Sequence, residues 1–187
     1  MVLPEVLDAG VVTLRRWTVA WVDDLDRAIR ASLPELSLFM PWATENHGVA
    51  ESQEFIDRSR SEWDAGETWN YAMFDAAERV VGACGLMTRM GPGVLEIGYW
   101  VGSAYAGHGV ATAAALSLAD AALHVDGVER VVIKHDIANP ASGRVAQKAG
   151  FSRVGQIETE PLTPAQTGVQ AIWELRRAEN RVSAAAP

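Results

Sequence analysis

The sequence has a single cysteine, no long apolar run and a shortage of basic residues, and each of these absences excludes a class of protein. Cys84 alone can form neither an intrachain disulfide nor a zinc site of several thiolates. It lies in an apolar stretch, so we expect a core thiol rather than a catalytic one. The four histidines lack the spacing of metal ligands, and we therefore expect no metal dependence.

No apolar run reaches the roughly 20 residues that a membrane-spanning helix requires. The stretch that comes nearest, residues 111–123, is interrupted by Asp120. The opening segment MVLPEV has no basic stretch and no long apolar stretch, so it is not typical of a signal peptide. These features predict a soluble, cytoplasmic protein with no membrane partner.

The formal net charge is −8, from 24 acidic and 16 basic residues, and the basic residues are scattered. Such a chain repels phosphate backbones, so we expect no nucleic acid partner, and a cationic acceptor such as an amine suits the charge better. Hydrophobic residues make up 49% of the 187 positions, which is enough for one core. We expect a single domain over residues 1–178 and a flexible tail over residues 179–187.

Hydrophobic periodicity divides the chain into an antiparallel first half and a second half in which strands alternate with helices. Strands are predicted at residues 11–17, 68–74, 79–88, 94–101, 130–135, 151–158 and 169–176. Helices are predicted at residues 23–33, 50–64, 109–123 and 139–149. Pro34 is expected to break or bend the first helix. The pattern predicts an α+β fold with a mixed, mostly antiparallel sheet of about seven strands.

The segment between the fourth strand and the third helix is rich in glycine and lacks a helix cap. Neither Ser, Thr, Asp nor Asn stands immediately before Val110, so the first helical amides have no obvious side-chain partner. Gly107 and Gly109 allow close backbone approach, and a helix N-terminus carries partial positive charge. The segment is therefore predicted to hold a diphosphate through main-chain amides. The glycines also fit a tight turn without any ligand, and that alternative stays open.

Two other phosphate-binding motifs fit this segment less well. A Walker loop has Lys and then Ser or Thr after its last glycine, whereas this chain has Val110 and Ala111. A dinucleotide fingerprint lies in the first strand–helix turn of a fold, whereas these glycines follow an antiparallel meander.

Several segments, taken in order, resemble the acetyl-CoA motif of the GNAT acetyltransferases. EIGYWV at 96–101 is followed by YAGHGVAT at 105–112, and NPAS at 139–142 and KAGF at 148–151 are similar to the second signature of the family. TLR at 13–15 and MPW at 40–42 resemble the RimJ/RimL branch, which acetylates N-terminal amines of ribosomal proteins and various small amines. The resemblance implies the acyl-CoA N-acyltransferase fold, with helices on both faces, a splay between the fourth and fifth strands, and acetyl-CoA as co-substrate without a metal.

The resemblance also implies which residues bind the co-substrate. The implied set is Tyr99, Trp100, Val101, Ala106, Gly107, His108, Gly109, Val110, Ala111, Thr112, Asn139 and Ser142. Residues 106–111 would contact the diphosphate through backbone amides, residues 99–101 would follow the pantetheine arm, and Asn139 and Ser142 would face the sulfur. The chain departs from the family twice, because Ala106 stands where Gln or Arg is frequent and Ala146 stands where many members have a tyrosine acid.

Acetyl transfer requires a neutral amine and a stabilised leaving thiolate. Glu96 interrupts an apolar strand, where an unpaired carboxylate is costly to bury, and we predict that it is the general base, directly or through water. A structural ion pair with an arginine is the alternative. Ser142 is predicted to hydrogen-bond the thiolate in place of the missing tyrosine. The alternative is that Asn139, Pro140 and Ser142 only begin a helix.

Trp42, Trp69 and Tyr71 are predicted to frame the acceptor pocket, with core or rim packing as the alternative for each. The predicted function is transfer of acetyl from acetyl-CoA to a primary amine by direct attack. The acceptor is either a protein N-terminal amine or a small-molecule amine. Because Ala146 lacks the hydroxyl of the family tyrosine, a non-catalytic acyl-CoA-binding or protein-interaction module stays open, as does a homodimer.

Overall fold

The computed structural model describes residues 2–177, which form one sheet with helices on both faces. Its strands are β1 (Val6–Asp8), β2 (Thr13–Arg16), β3 (Thr68–Phe74), β4 (Val80–Met87), β5 (Val94–Val101), β6 (Arg130–Asp136), β7 (Ser152–Glu158) and β8 (Val169–Arg176). Its helices are α1 (Val22–Arg30), α2 (Leu33–Leu36), α3 (Val49–Ala65), α4 (Val110–Leu123) and α5 (Pro140–Lys148). Short 3-10 turns cover Val19–Trp21 and Ser103–Tyr105.

The sheet has eight strands in the order β1-β2-β3-β4-β5-β6-β8-β7. Among the pairs that the structure describes, β5 and β6 are parallel and all others are antiparallel. The predicted mixed, mostly antiparallel sheet is therefore confirmed. The predicted number of strands was one too low, because β1 has only three residues and is too short to show an alternating pattern.

Strand alternation assigns the two faces of the sheet to different helices. Leu95 and Ile97 of β5 share a buried cluster with Leu118 of α4. Ala72 of β3 belongs to a second cluster, together with Leu25 of α1 and other apolar side chains of the opposite face. Successive strand residues point to opposite faces, so α4 lies on one face while α1 and α3 lie on the other. The prediction of helices on both faces is confirmed.

Cys84 lies in the α4-side cluster, and burial raises the pKa of its thiol. A neutral buried thiol is a poor nucleophile, so the prediction of a core cysteine is confirmed.

The region around Pro34 differs from the prediction. Helix α1 already ends at Arg30, and Pro34 occupies the second position of the new short helix α2. A proline in the first turn loses no intrahelical hydrogen bond, so it begins this helix rather than ending the previous one. The predicted flexible tail, residues 179–187, lies outside the described residues.

Candidate active site

The two parallel strands at the centre of the sheet separate partway along their length. β5 and β6 pair from Val94 opposite Arg130 to Ile97 opposite Ile133, and no pairing follows. Beyond that point β5 stays paired to β4 as far as Val101, while β6 stays paired to β8. The splay implied by the resemblance is thus present, and we call the gap between residues 98–101 and 134–136 the cleft.

Beyond Ile97, half of the backbone groups of β5 have lost their partner strand. The amide and carbonyl groups of successive strand residues point alternately to the two sides of the strand. One of Tyr99 and Trp100 therefore directs its amide into the cleft, where it is available to a polarised carbonyl oxygen.

The open end of the cleft carries a row of free backbone amides. Gly107 and Gly109 have φ values of 81° and 84°, a left-handed conformation that glycine adopts without strain. Gly109 begins α4, and no side chain caps this helix. Within residues 2–177, five amides in this segment have no hydrogen-bond acceptor, namely those of Gly107, Gly109, Val110, Ala111 and Thr112. A Cβ atom on either glycine would meet no atom within 4 Å, so the space in front of the loop is open.

This loop fits a diphosphate group. Exposed unpaired amides at a helix N-terminus bind anions through hydrogen bonds and the helix dipole. Two of the predicted residues differ, because the Ala106 amide donates to Ser103 and the His108 amide donates to Tyr105 within the turn. Their amides build the turn, while those of the flanking residues remain available to a ligand.

A pair of hydroxyl groups spans the cleft on its α4 side. The Tyr99 hydroxyl oxygen lies 2.8 Å from Ser142 Oγ and 3.2 Å from the Ser142 carbonyl oxygen. Burial raises the pKa of Tyr99 to about 12, although the hydrogen bond to Ser142 lowers it, so the phenol is neutral at physiological pH. The structure therefore brings together Tyr99 and Ser142, which are 43 residues apart in the chain.

Asn139 and Ala146 occupy structural positions on the same helix. Asn139 Oδ1 accepts a hydrogen bond of 3.2 Å from the Ser142 amide, which is the geometry of a helix N-cap. This contact is the alternative that the sequence left open for Asn139. Ala146 is fully buried in the α4-side cluster. Alanine has no hydroxyl, so the hydroxyls that the described structure brings together here are those of Tyr99 and Ser142.

The position of α5 depends on a close contact with β6. A Cβ atom on Gly143 would lie 3.0 Å from His135 Nε2, so a larger residue here would require the imidazole to shift by a few tenths of an ångström. His135 Nε2 is 3.0 Å from the Trp173 indole nitrogen, and His135 Nδ1 is 2.8 Å from the Asp136 carbonyl oxygen. An indole only donates and a carbonyl only accepts, so the ring is the neutral tautomer with hydrogen on Nδ1. Sequence patterns gave no signal for this contact, because its partners come from three separate segments.

Glu96 lies on the opposite face of the sheet, just before the cleft opens. Its side chain is only 4% exposed, and both carboxylate oxygens contact Arg89. Lys134 Nζ lies 3.1 Å from Oε2. A general base needs a lone pair directed at the acceptor. The ion-pair alternative for Glu96 is what this geometry favours.

Replacing Glu96 separates the two roles. We expect Glu96→Gln to lower the free energy of unfolding by about 1–3 kcal/mol, because Arg89 and Lys134 lose charge-assisted hydrogen bonds. Chemical denaturation measures this loss. Glu78→Gln is the matched control, since the pair of Glu78 with Arg15 is exposed and screened by solvent, and we expect its loss to change stability little. A different result would support Glu96 as the general base. In that case Glu96→Gln would keep its stability, would have a lower acetylation rate at neutral pH, and would regain the parental rate at high pH.

Trp42 stands at the edge of the cleft on the α1 and α3 side. It is 43% exposed, and its ring centroid is 6.1 Å from that of Trp100, which packs against the core on this face. The ring centroid of Trp42 is also 6.0 Å from that of His47, and His47 Nε2 is 3.0 Å from the Ser52 hydroxyl oxygen. An exposed indole that packs against the partly buried Trp100 and the buried His47 is suited to contact a ligand.

Trp69 and Tyr71 do not lie at this edge. They are 1% and 0% exposed, and both belong to the α4-side cluster. Alternation along β3 directs them to the face away from Trp42. The Tyr71 hydroxyl donates to the Pro4 carbonyl oxygen at 2.8 Å, and burial raises its pKa. We therefore correct their predicted role in the acceptor pocket to core packing.

A loop that the sequence did not assign to the site lies beside it. Residues 159–168 join β7 to β8, and two of their side chains bond backbone oxygens of the segment after α2. The Thr163 hydroxyl donates to Leu38 at 2.6 Å, and Gln166 Nε2 donates to Phe39 at 3.1 Å. We call this linked pair of segments the bridge. It joins parts of the chain about 125 residues apart, which is why local patterns could not reveal it.

Asp136 anchors the bridge at the end of β6. Its carboxylate accepts hydrogen bonds from the amides of Ala138, Thr167 and Gly168 and from the Thr167 hydroxyl. Burial alone would raise the pKa of Asp136, but these hydrogen bonds hold it below its usual value. The lone pairs of the charged carboxylate are thus occupied by hydrogen bonds, mostly from the 159–168 loop, and Asp136 is a poor candidate for proton transfer.

Within residues 2–177, no cluster of three or more His, Cys, Asp or Glu side chains is arranged to hold a metal ion. None of the helices in this part of the chain has the length and apolar character needed to cross a bilayer.

A sheet that splays at its centre, followed by an uncapped glycine-rich helix N-terminus, is the arrangement that suits an acyl-CoA-dependent acyltransferase. Residues 12–152 match the family model described as the acetyltransferase (GNAT) domain. The chain therefore belongs to the GNAT family and is an N-acetyltransferase that uses acetyl-CoA as co-substrate. The sequence has no significant match among curated proteins.

Solved structures with the same fold are distant in sequence. The microcin self-immunity acetyltransferase MccE, in complex with acetyl-CoA and AMP, is 20% identical with a TM-score of 0.82, covering 89% of this chain and 93% of its own. RimL, a ribosomal α-N-protein acetyltransferase in complex with coenzyme A, is 17% identical with a TM-score of 0.83, covering 92% and 98%. RimJ from Mycobacterium smegmatis is 21% identical with a TM-score of 0.79, covering 93% and 86%. These likenesses show that the chain shares the fold of these acetyltransferases.

Proposed function

We propose that this N-acetyltransferase acetylates the N-terminal amine of a protein or peptide by direct attack on the thioester. The five free amides at 107 and 109–112 carry the co-substrate half of the proposal, because they are uncapped, have no acceptor in the described structure and lie on a loop with open space around its glycines. Bound there, the co-substrate supplies the acetyl group to the cleft. Tyr99 and Ser142 line one side of the cleft, and Trp42 and Trp100 lie on the other face.

The acceptor half of the proposal depends on three exposed apolar side chains, which we call the rim. Leu38, Trp42 and Leu162 are exposed apolar side chains on the two segments that form or flank the bridge. An open apolar rim suits an extended chain whose first side chains follow the amine, since such side chains bury apolar area there. RimL is similar in fold and is by name an α-N-protein acetyltransferase, which supports the same acceptor class. The MccE structure contains the small molecule AMP together with acetyl-CoA, which favours a second candidate acceptor, a small-molecule amine.

In the proposed reaction the neutral amine forms the new C–N bond while the C–S bond breaks. The sulfur leaves with the electron pair, and Ser142 donates a hydrogen bond to it. The amine proton passes to solvent, and the thiolate is protonated from solvent afterwards. Glu96 holds Arg89 and Lys134 at the base of the cleft, where the ion cluster fixes β5 relative to β6.

An acceptor panel tests the acceptor class. We expect free thiol release from acetyl-CoA with peptides that have a free N-terminus, and none with the same peptides blocked at the N-terminus but carrying lysine. Trp42→Ala should raise KM for these peptides several-fold, about 1 kcal/mol of lost apolar contact, without changing the Kd for coenzyme A. Turnover confined to polyamines or other small amines would contradict the peptide assignment and favour the second candidate.

A further inference from the structure

The hydroxyls of Tyr99 and Ser142 differ in what each can donate to. Ser142 is the third residue of α5, and its carbonyl oxygen lies within the helix, where it faces the amide four residues later. Tyr99 lies nearer to Ser142 Oγ, at 2.8 Å, than to this carbonyl, at 3.2 Å. A phenol that donates to Oγ leaves the serine proton without an acceptor in residues 2–177, and that proton is then free to point into the cleft.

A serine near a helix start has another option. Without an outside donor, its hydroxyl turns back and bonds a backbone carbonyl three or four residues earlier. Such a bond would direct the proton away from the cleft. In the described structure Ser142 Oγ makes no bond to the carbonyl of residue 138 or 139, and its contact of 2.8 Å with the Tyr99 hydroxyl holds the side chain in a rotamer on the side of β5.

We propose that Tyr99 is a positioning residue whose phenol donates to Ser142 Oγ and thereby turns the Ser142 hydroxyl towards the leaving sulfur. This inference rests on the proposed function, in which Ser142 contacts that sulfur. The inference also explains how the site could work with alanine at residue 146. The tyrosine hydroxyl that many family members have there is absent, and Ser142, oriented by Tyr99 of β5, would bond the sulfur in its place. The neutral state of the buried Tyr99 phenol is consistent with its role as a donor.

A double-mutant cycle tests the inference on the full-length protein. Tyr99→Phe should lower kcat about fivefold, the effect of one lost neutral hydrogen bond, and leave the Kd for coenzyme A unchanged. In the Ser142→Ala background the same replacement should have no further effect on kcat. Tyr105→Phe is the matched control, because its hydroxyl faces Asp75 at 3.5 Å and makes no contact with α5 in the described structure.

Each outcome decides the inference. A fivefold loss in both backgrounds would mean that Tyr99 acts independently of Ser142, and an unchanged kcat in the parent background would mean that it does not act at all. A weaker Kd for coenzyme A with constant kcat would assign Tyr99 to binding alone. All three overturn the positioning role. Absence of turnover by the unmodified protein with every amine would instead overturn the proposed function itself.

Discussion

Ser142→Ala is expected to lower kcat about 100-fold, the low end of what one preorganised hydrogen-bond donor to a developing negative charge contributes. The leaving thiolate loses the hydroxyl that faces it, and Ala146 offers no replacement. The fold should survive, because the Ser142 amide still donates to Asn139 Oδ1 and alanine favours the helix. Steady-state kinetics with saturating acceptor, together with titration of coenzyme A, measure the two quantities separately.

Ser152→Ala is the control for hydroxyl loss, because Ser152 is exposed at the start of edge strand β7. We expect parental kcat from this variant. If Ser142→Ala kept more than half of the parental kcat, the hydrogen bond to the thiolate would be excluded. Asn139, Pro140 and Ser142 would then form a helix start and nothing more.

The double replacement Gly107→Ala and Gly109→Ala is expected to weaken coenzyme A binding by about 30-fold or more. A left-handed conformation costs alanine roughly 1–2 kcal/mol at each position, so we expect the loop to adopt a different backbone conformation. The free amides would then point away from the diphosphate. Isothermal titration with coenzyme A measures the loss.

A control separates loop geometry from general strain. Gly10 has a φ of 76° and open space around it, like the two loop glycines, but lies in the exposed turn between β1 and β2. Gly10→Ala should cost similar stability and leave the Kd for coenzyme A unchanged. Equal Kd values for the loop variant and the parent would place the diphosphate elsewhere and remove the main support for the proposed site.

The parts of the site that the sequence predicted are those encoded locally. An uncapped helix start after two glycines is visible in ten consecutive residues, and the free amides follow from it. Asn139 and Pro140 likewise mark the start of α5. By contrast, nothing in the segment around Glu96 shows that Arg89 and Lys134 converge on its carboxylate.

The aromatic residues show why composition alone misassigned part of the acceptor pocket. Trp42, Trp69 and Tyr71 are all amphipathic and fit either a rim or a core. The choice depends on which face of the sheet each one occupies, and Trp69 and Tyr71 belong to the buried α4-side cluster. Trp42 is exposed because it lies in the connection between α2 and α3.

Most of the strands and helices, the glycine loop and the family could be predicted from the sequence, because periodicity, helix-start residues and motif order are properties of neighbouring positions. Only the tertiary structure decided which groups meet across the cleft. Tyr99 with Ser142, Glu96 with its two cations, and Thr163 with Leu38 are pairs whose geometry arises when distant strands and helices pack. Side-chain hydrogen bonds and ion pairs depend on distances of a few ångströms, and sequence spacing does not contain those distances.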